Sequence, residues 1–309
     1  MNTKQVILLA GPTASGKSAL ALALAQRLGG VVINADSMQV YRELSILTAR
    51  PAAADLAAAP HQLYGHVPVS QAYSAGLWLA DMARVLASAR AERRVPIITG
   101  GTGLYFEVLL NGLSPVPPIA PEIRAHWRAE ALRIGPLQLH KELAARDAQM
   151  AERLRPSDPQ RVTRALEVLA ATGRSLADWQ AEAGTPLVPF DQALCLVLLP
   201  ARESLYARCD ARFDAMLAAG GLEEIAALMA LQLPAELPAM RATGARELMA
   251  HLRGELTIEA AAVAAKTATR RYAKRQETWI KGRMAGWTKV APAVTAQVDR
   301  IEKAFQSGA

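Results

Sequence analysis

The feature that most constrains the fold is a glycine-rich octapeptide near the N-terminus. Its residues, Gly11-Pro12-Thr13-Ala14-Ser15-Gly16-Lys17-Ser18, fit the pattern G-x-x-x-x-G-K-[ST]. Gln5–Ala10 before it reads as a strand, and Lys17–Leu28 after it carries a helical pattern. A loop in this position directs backbone N–H groups and a helix N-terminus at a phosphate. We therefore predict a site for a di- or triphosphate, in which Lys17 adds a positive charge and the Ser18 hydroxyl ligates Mg²⁺.

Strand and helix patterns alternate through the first hundred residues. Val31–Ala35 and Val95–Thr99 predict two further buried strands, and Ser74–Ala91 has the apolar spacing of a helix. A late strand, Leu194–Leu199, can join the same sheet. Continuous apolar strands separated by helices indicate a parallel sheet with helices on both faces. The expected fold class is α/β, with a P-loop NTPase-like parallel sheet as its core.

Two proline-rich segments, Ser114–Pro118 and Thr185–Pro189, interrupt this alternation. The chain between them has helical spacing and no convincing strand. After residue 200 it is nearly all helix, including a long helix from about Thr257 to Lys281. We expect an α/β core with C-terminal helices over residues 1–114 and 191–309, and a helical insertion domain over residues 115–190.

A phosphate loop alone does not identify the compound that is bound. NTPases and kinases usually hold Mg²⁺ with a further carboxylate at a strand end, but Val95–Thr99 ends in Gly-Gly-Thr. The strand Val31–Ala35 is followed by Asp36, which a doubly wound sheet would bring to the phosphate site. Asp36 is either a functional carboxylate or the N-cap of a helix, and the sequence leaves both interpretations open.

Charge is concentrated in one part of the chain. The net charge is +7, and residues 241–283 contain ten Lys and Arg against four Asp and Glu, whereas residues 115–195 are neutral. Such a stretch is either a solvated surface or a binding surface for a polyanion. At 100° per residue the long helix is expected to present a basic face within about 80° and to pack an apolar one. The basic face comprises Lys266, Arg270, Lys274 and Lys281, and the apolar face Ala261, Ala265, Ala268, Tyr272 and Trp279.

Composition excludes several classes of protein. A hydrophobic content of 51% without low-complexity tracts excludes a disordered chain. The longest apolar runs fall far short of the roughly 20 residues of a membrane span. Met1–Lys4 lead directly into a strand without the pattern of a signal peptide. Cys195 and Cys209 are too few for a zinc site, so we expect reduced core thiols in a cytoplasmic protein with no membrane partner.

Several further motifs occur in a characteristic order. They are Asp36–Tyr41, Gly100–Tyr105, Pro159–Glu167, Arg212-Phe213 and Lys274–Trp279. Together with the phosphate loop they resemble the bacterial tRNA dimethylallyltransferase (isopentenyltransferase) family, from about residue 5 to residue 283. The resemblance implies a P-loop α/β core with a helical insertion. It also implies transfer of a dimethylallyl group from dimethylallyl diphosphate to N6 of adenosine 37 beside the tRNA anticodon, with release of diphosphate.

The resemblance also implies roles for individual residues at the reacting centre. Gly11–Ser18 would hold the diphosphate of the prenyl donor rather than ATP, with Mg²⁺ at Ser18. Asp36 would be the general base on the adenine N6–H, an effect worth roughly 10²–10⁴-fold. Thr102, Arg212 and Lys17 would stabilise the charge on the departing diphosphate.

The residues that we expect to contact tRNA lie in three parts of the chain: the core and the insertion, which the resemblance indicates, and the long helix, which its basic face indicates. They are Asp36, Ser37, Met38, Gln39 and Thr102 in the core; Arg124, Gln160, Arg161, Val162, Thr163 and Arg164 in the insertion; and Lys274, Arg275, Gln276, Trp279 and Lys281 in the long helix. The adenosine is expected to leave its stack to reach the phosphate loop. We expect a monomer whose partners are the tRNA anticodon loop and dimethylallyl diphosphate.

Two segments depart from the family pattern, and their roles stay open. Ile46–Pro51 lacks the usual glycine before the Thr-Ala turn, and Arg241–Glu247 lacks the usual aromatic residue after its glycine. Three alternative functions remain: a P-loop small-molecule kinase, a non-catalytic RNA-binding protein with a relic nucleotide site, and a prenyltransferase acting on free adenine nucleotides. The kinase leaves the basic helix unexplained, and the nucleotide enzyme needs neither the insertion nor that helix.

Overall fold

A six-stranded parallel sheet forms the centre of the computed structural model, which describes residues 4–291 and 294–307. Met1–Thr3, for which the sequence predicts no signal peptide, lie outside the described residues. The strand order is β3-β2-β4-β1-β5-β6. The strands are β1 (Val6–Ala10), β2 (Val31–Asn34), β3 (His61–Gln62), β4 (Pro96–Gly100), β5 (Ala193–Leu198) and β6 (Thr288–Val290). The predicted α/β class is confirmed, and the late strand β5 pairs with β1. The short edge strands β3 and β6 were not predicted, because two or three residues carry no readable periodicity.

The central strand β1 is buried on both faces. Val6, Leu8 and Ala10 contribute to one hydrophobic cluster, whereas Ile7 and Leu9 contribute to another. This alternation follows from the two-residue period of a strand. An unbroken apolar run is therefore what a sheet covered by helices on both faces requires.

The first half of the core supplies four helices. They are α1 (Lys17–Leu28), α2 (Ala53–Ala58), α3 (Ala75–Ala91) and α4 (Gly103–Asn111). On one face of the sheet, α1 packs through Leu20 and Leu24. On the other face, α3 and α4 pack through Trp78 and Phe106. Because β1 and β4 are parallel, the helices that follow them, α1 and α4, begin at the same end of the sheet. The phosphate loop lies at this end.

The chain divides into two compact units, one formed by the residues up to Leu110 and from Leu187 onward, the other by Asn111–Pro186. The bounds expected from sequence for the second unit are 115–190. Its helices are α5 (Pro121–Arg146), α6 (Ala148–Arg153), α7 (Pro159–Thr172) and α8 (Leu176–Ala181). Gly135, with φ 75°, interrupts α5 just before Pro136. Leu139, Leu143 and Leu166 belong to this unit's own hydrophobic core.

Five helices complete the first unit. They are α9 (Arg202–Ala218), α10 (Gly221–Ala230), α11 (Ala245–Leu252), α12 (Ile258–Arg283) and α13 (Val294–Ser307). Phe213, Ile225 and Leu248 from α9, α10 and α11 pack in a further core cluster with Tyr41 from the segment after β2. Within residues 4–291 and 294–307, no helix is long and apolar enough to cross a membrane.

Both cysteines are free and buried, as predicted. Burial raises the pKa of Cys195 to about 12, so this thiol stays protonated at neutral pH.

The long helix α12 forms as predicted, but its faces differ from the expected ones. The buried positions are Ala261, Ala265, Thr269, Ala273, Gln276 and Ile280, whereas Ala268, Tyr272 and Trp279 are only partly buried. Lys266 binds Asp214 at 2.6 Å and Arg270 binds Asp210 at 2.7 Å. The expected basic face is therefore wrong at Lys266 and Arg270, because a helical wheel does not reveal acids on the neighbouring helix α9.

Candidate active site

The phosphate loop, residues 11–18, joins the end of β1 to the start of α1. Gly16, with φ 96°, is the N-cap of α1, a left-handed conformation that favours glycine. Lys17 donates from Nζ to the carbonyl oxygen of Pro12 at 3.2 Å, and Ser18 is exposed on the first helical turn. The Ser15 hydroxyl is buried and has no protein partner among the described residues. The loop therefore has the strand–loop–helix context that the motif requires for phosphate binding.

Three charged side chains of the predicted site lie within electrostatic range of one another. Burial lowers the pKa of Lys17 to about 8; the Arg212 guanidinium also lowers it, while the Asp36 carboxylate acts in the opposite direction. Burial likewise lowers the pKa of Arg212, against the attraction of Asp36. Two cations and one carboxylate thus meet at the phosphate loop, as the sequence predicted from separate motifs.

Asp36 follows β2 and is held by a buried neighbour. Asn34 accepts from the Asp36 backbone N–H through Oδ1 at 2.8 Å and donates through Nδ2 to the carbonyl oxygens of Asp36 and Leu63. Asp36 Oδ1 in turn accepts from the Met38 N–H at 2.9 Å. Since no helix begins at Asp36, the N-cap interpretation is wrong. The carboxylate closes a turn without using both of its oxygens.

The loops after β2 and β4 are joined by Thr102. Its Oγ1 accepts from the Ser37 N–H at 2.9 Å and lies 3.3 Å from the Ser37 hydroxyl. Gly100 makes this approach possible, because a Cβ at that position would overlap the backbone of Ala35. Two residues that are 65 positions apart in sequence are thereby brought together beside Asp36.

Arg212 reaches the phosphate loop from α9, where its guanidinium donates to the Thr13 hydroxyl. Thr13, Asp36 and Arg212 supply polar groups to one pocket. The apolar part of the same pocket is lined by Met38, Leu47, Phe213 and Met216. The pocket therefore combines polar groups with an apolar lining, the two kinds of surface that a molecule with an anionic end and a small apolar group requires.

Gln276 of α12 links the phosphate loop to the loop after β4. Its Oε1 accepts from the Thr13 N–H at 2.8 Å, and its Nε2 donates to the Gly101 carbonyl oxygen at 2.9 Å. Gln276 is only 6% exposed. Its buried amide therefore positions two loops of the site, and a contact of Gln276 with tRNA stays a prediction. Trp279 lies against Gly103, at which a Cβ would overlap the indole ring.

Tyr272 is a site residue that the sequence analysis assigned only to packing. It lines the pocket, and burial raises its pKa, with a further increase from the negative charge of Asp36. The pKa of Tyr105 is raised by the same two causes in the same order. Both phenols therefore stay neutral beside Asp36 at physiological pH. The signal for Tyr272 was its helical position one turn before Gln276.

The predicted tRNA-binding residues of the insertion differ in exposure. Arg124, Gln160 and Arg161 are exposed, and Arg164 is partly buried at 3.5 Å from Glu167. Val162 is fully buried in the core of this unit. Thr163 is 7% exposed, and its hydroxyl donates to the Pro159 carbonyl oxygen at 2.7 Å. The side chains of Val162 and Thr163 therefore stabilise α7 from within, and contact of this segment with tRNA stays a prediction.

On α12, three predicted contact residues remain at the surface. Lys274 and Arg275 are exposed, and the Arg275 guanidinium lies 5.6 Å from the centre of the Tyr272 ring. Lys281 is exposed and binds Glu277 at 2.6 Å. In the core, Gln39 donates to the carbonyl oxygens of Thr48 and Ala49. Its amide therefore supports the neighbouring loop.

A strand–loop–helix phosphate site after β1, with a fixed carboxylate at the end of β2, defines a P-loop α/β protein that is equipped for group transfer. The profile of the family described as IPP transferase matches residues 39–283, and that of isopentenyl transferase matches residues 4–69. This chain belongs to the IPP transferase family.

Relatives and solved structures agree with this assignment. A protein of Nitrobacter hamburgensis named tRNA dimethylallyltransferase is 54% identical over 286 residues, which cover 93% of this chain and 90% of the relative. One of Mesorhizobium japonicum with the same name is 51% identical over 305 residues, with 98% and 93% covered. The tRNA isopentenylpyrophosphate transferase of Bacillus halodurans superposes with a TM-score of 0.71 at 28% identity, with 99% and 98% covered. A eukaryotic dimethylallyltransferase acting on tRNA gives a TM-score of 0.84 at 28% identity, with 99% and 80% covered.

Proposed function

We propose that this protein transfers the dimethylallyl group of dimethylallyl diphosphate to N6 of adenosine 37, beside the anticodon of a tRNA, and releases diphosphate. The observation that carries the proposal is the pocket in which Asp36 faces Arg212 and Thr13 of the phosphate loop. The names of the relatives and membership of the IPP transferase family support the same reaction.

The prenyl donor binds with its diphosphate in the phosphate loop. Loop N–H groups, Lys17 and Arg212 stabilise the negative charge that accumulates as the bond between C1 and the diphosphate oxygen breaks. Thr102, whose Oγ1 accepts from the Ser37 N–H, is a further contact for the diphosphate. The apolar lining formed by Met38, Phe213 and Met216 suits a five-carbon group.

Asp36 activates the acceptor amine. An exocyclic adenine amine is a poor nucleophile because its lone pair is delocalised into the ring. As the bond between N6 and C1 forms, the N6 proton passes to Asp36, and the electrons of the C1–O bond leave with the diphosphate. A positioned general base contributes roughly 10²–10⁴-fold to such a step. Extrusion of the base from its stack brings N6 to this pocket.

Mg²⁺ fits the site as a companion of the diphosphate. The exposed Ser18 hydroxyl is an oxygen ligand of the kind that Mg²⁺ accepts. The described part of the chain contains no group of three His, Cys, Asp or Glu side chains that could hold a metal by itself. Diphosphate oxygens and water would therefore supply most of the ligands, and the ion would neutralise part of the leaving group's charge.

The acceptor tRNA is bound by exposed basic and polar residues. Arg124, Gln160 and Arg161 serve on the insertion, and Lys274 and Arg275 serve on α12. We expect the enzyme to act as a monomer. We expect it to act in the cytoplasm, where its tRNA substrate is found.

The test is to incubate the protein and Mg²⁺ with labelled dimethylallyl diphosphate and one of three acceptors: tRNA, the same tRNA with guanosine at position 37, or AMP. Label in the unaltered tRNA alone is the expected result. Label in AMP would instead indicate the nucleotide prenyltransferase. ATP hydrolysis without any prenyl transfer would contradict the proposal and favour the kinase.

A further inference from the structure

The loop Ser45–Leu47 is held by a single carboxylate. Glu224, in the first turn of α10, accepts through Oε1 from the N–H groups of Ser45 at 2.6 Å and Ile46 at 2.8 Å, and through Oε2 from that of Leu47 at 2.8 Å. The Ser45 hydroxyl adds a fourth bond at 3.0 Å. Hydrogen bonds to an ionised acceptor are roughly twice as strong as neutral ones. The course of this loop therefore depends on Glu224.

The other end of the loop is fixed by Gln39. Its Nε2 donates to the carbonyl oxygens of Thr48 at 2.8 Å and Ala49 at 2.9 Å. Ala49 has φ 53°, a left-handed conformation that a side-chain-bearing residue keeps only when its surroundings impose it. Since Leu47 and Thr48 both line the pocket, a loop fixed at both ends sets the shape of one pocket wall.

The Leu47 side chain is anchored in the core beside the pocket. It is 7% exposed and belongs to the same core cluster as Phe213. Movement away from these neighbours would lose close packing, so Leu47 keeps its place in the pocket wall.

The position of this wall along α9 limits the length of a bound chain. Arg212 contacts the phosphate loop, and Met216, which also lines the pocket, lies one helical turn further, about 6 Å along the axis. At roughly 1.2 Å of advance per bond, about five bonds span that distance, which suits the diphosphate oxygen and four-carbon main chain of a five-carbon prenyl group and not the eight-carbon main chain of a ten-carbon group. A prenyl group anchored by its diphosphate beside Arg212 therefore ends near Met216 and Leu47.

We propose that Leu47 determines the length of the prenyl donor and that Glu224 is the positioning residue that holds it there. The inference rests on the proposed function and names its donor class: allylic diphosphates of five carbons, with ten-carbon chains excluded by the Leu47 wall. The loop Ile46–Pro51, whose role the sequence left open, thereby acquires one.

The experiment measures kcat/KM on tRNA with dimethylallyl diphosphate and with geranyl diphosphate. Leu47→Ala and Glu224→Ala are expected to raise the geranyl-to-dimethylallyl ratio at least tenfold. Glu224→Gln keeps the Oε1 acceptor for Ser45 and Ile46 but presents an NH₂ group to the Leu47 N–H, so its ratio should lie between those of the wild type and Glu224→Ala. Glu223→Ala removes the adjacent exposed acid of α10 and serves as the matched control, with an unchanged ratio.

Thermal melting of each variant before the assay establishes which ones are folded, and Leu47→Val, a smaller change, decides the question if Leu47→Ala is unfolded. Folded variants that slow both donors by the same factor would overturn the proposal, because a general structural defect does not discriminate by chain length. Failure of the proposed function is a different observation: the wild-type protein would then transfer neither group.

Discussion

At the scale of single residues, the chemistry of this site depends on side chains that do not themselves react. Asp36 was predictable from its position after a strand, because strand ends meet at one edge of a parallel sheet. The buried Asn34 that orients its backbone was not, since an asparagine inside an apolar strand has no distinctive pattern. Gln276 was found in a recognisable motif, but its bridging role was not predicted, because its partners lie 263 and 175 positions away.

Asp36→Asn tests the general base. The amide keeps an oxygen for the Met38 N–H and nearly the same volume, but it accepts no proton at neutral pH. Transfer of the prenyl group should fall at least about 100-fold, while affinity for tRNA stays within about twofold. Single-turnover rates and filter binding measure the two effects. Turnover equal to the wild type would assign the base to another group.

Lys17 predicts a pH dependence of diphosphate binding. Because burial lowers the pKa of Lys17 to about 8, its charge is present below that pH and lost as the pH rises through it. Affinity for inorganic diphosphate should accordingly decline above pH 8, by up to about tenfold per pH unit. Titration calorimetry between about pH 6.5 and 9.5 measures this.

Lys17→Arg is the control for that titration, because its guanidinium stays charged throughout this range. The ratio of the two dissociation constants also removes the ionisation of diphosphate itself, which is common to both proteins. A ratio that does not change with pH would show that Lys17 keeps its charge in the free protein.

At the scale of elements, α12 packs against the core, holds the phosphate loop through Gln276 and exposes Lys274 and Arg275. Its sequence pattern showed these three roles only in part. The periodicity predicted a long helix with one packed side. The orientation of that side depended on neighbours that the pattern does not contain: the acids of α9 and the backbone of the phosphate loop. As a result, Gln276 turned out to be buried, and only part of the basic set is left exposed, including Lys274 and Arg275.

Neutralising Lys274 and Arg275 together as glutamines should weaken tRNA binding and flatten its salt dependence. Each phosphate contact contributes roughly 0.7–0.9 to the slope of log K against log salt, so the slope should fall by about one to two. Lys266→Gln is the matched control: its ammonium group binds Asp214, so its removal should leave the slope unchanged. If the double variant kept the wild-type slope, this surface of α12 would be a solvated surface that does not bind tRNA.

At the scale of the whole molecule, proline-rich segments indicated the two units, but not their limits to the residue. The chain rejoins the first unit at Leu187, four positions before the predicted residue 191, because the N–H groups of Leu187 and Val188 both donate to the Leu109 carbonyl oxygen. Hydrogen bonds between distant backbone segments leave no trace in composition. The difference in net charge between residues 241–283 and residues 115–195 could be predicted from the sequence, since it requires only a count of charged residues.

Replacing residues 112–185 by a short Gly-Ser linker tests how the work is divided between the two units. The two ends of the replaced segment already lie side by side, since a Cβ on Gly112 would stand 2.5 Å from the backbone nitrogen of Thr185. The phosphate loop, Asp36 and Arg212 all belong to the unit that remains. The shortened protein should therefore bind inorganic diphosphate within about threefold of the wild type in calorimetry, whereas its affinity for tRNA in filter binding should fall at least about tenfold, as loss of several phosphate contacts requires. Undiminished tRNA binding would show that the insertion is not part of the RNA interface, and a folded protein that no longer binds diphosphate would show that the phosphate loop depends on it.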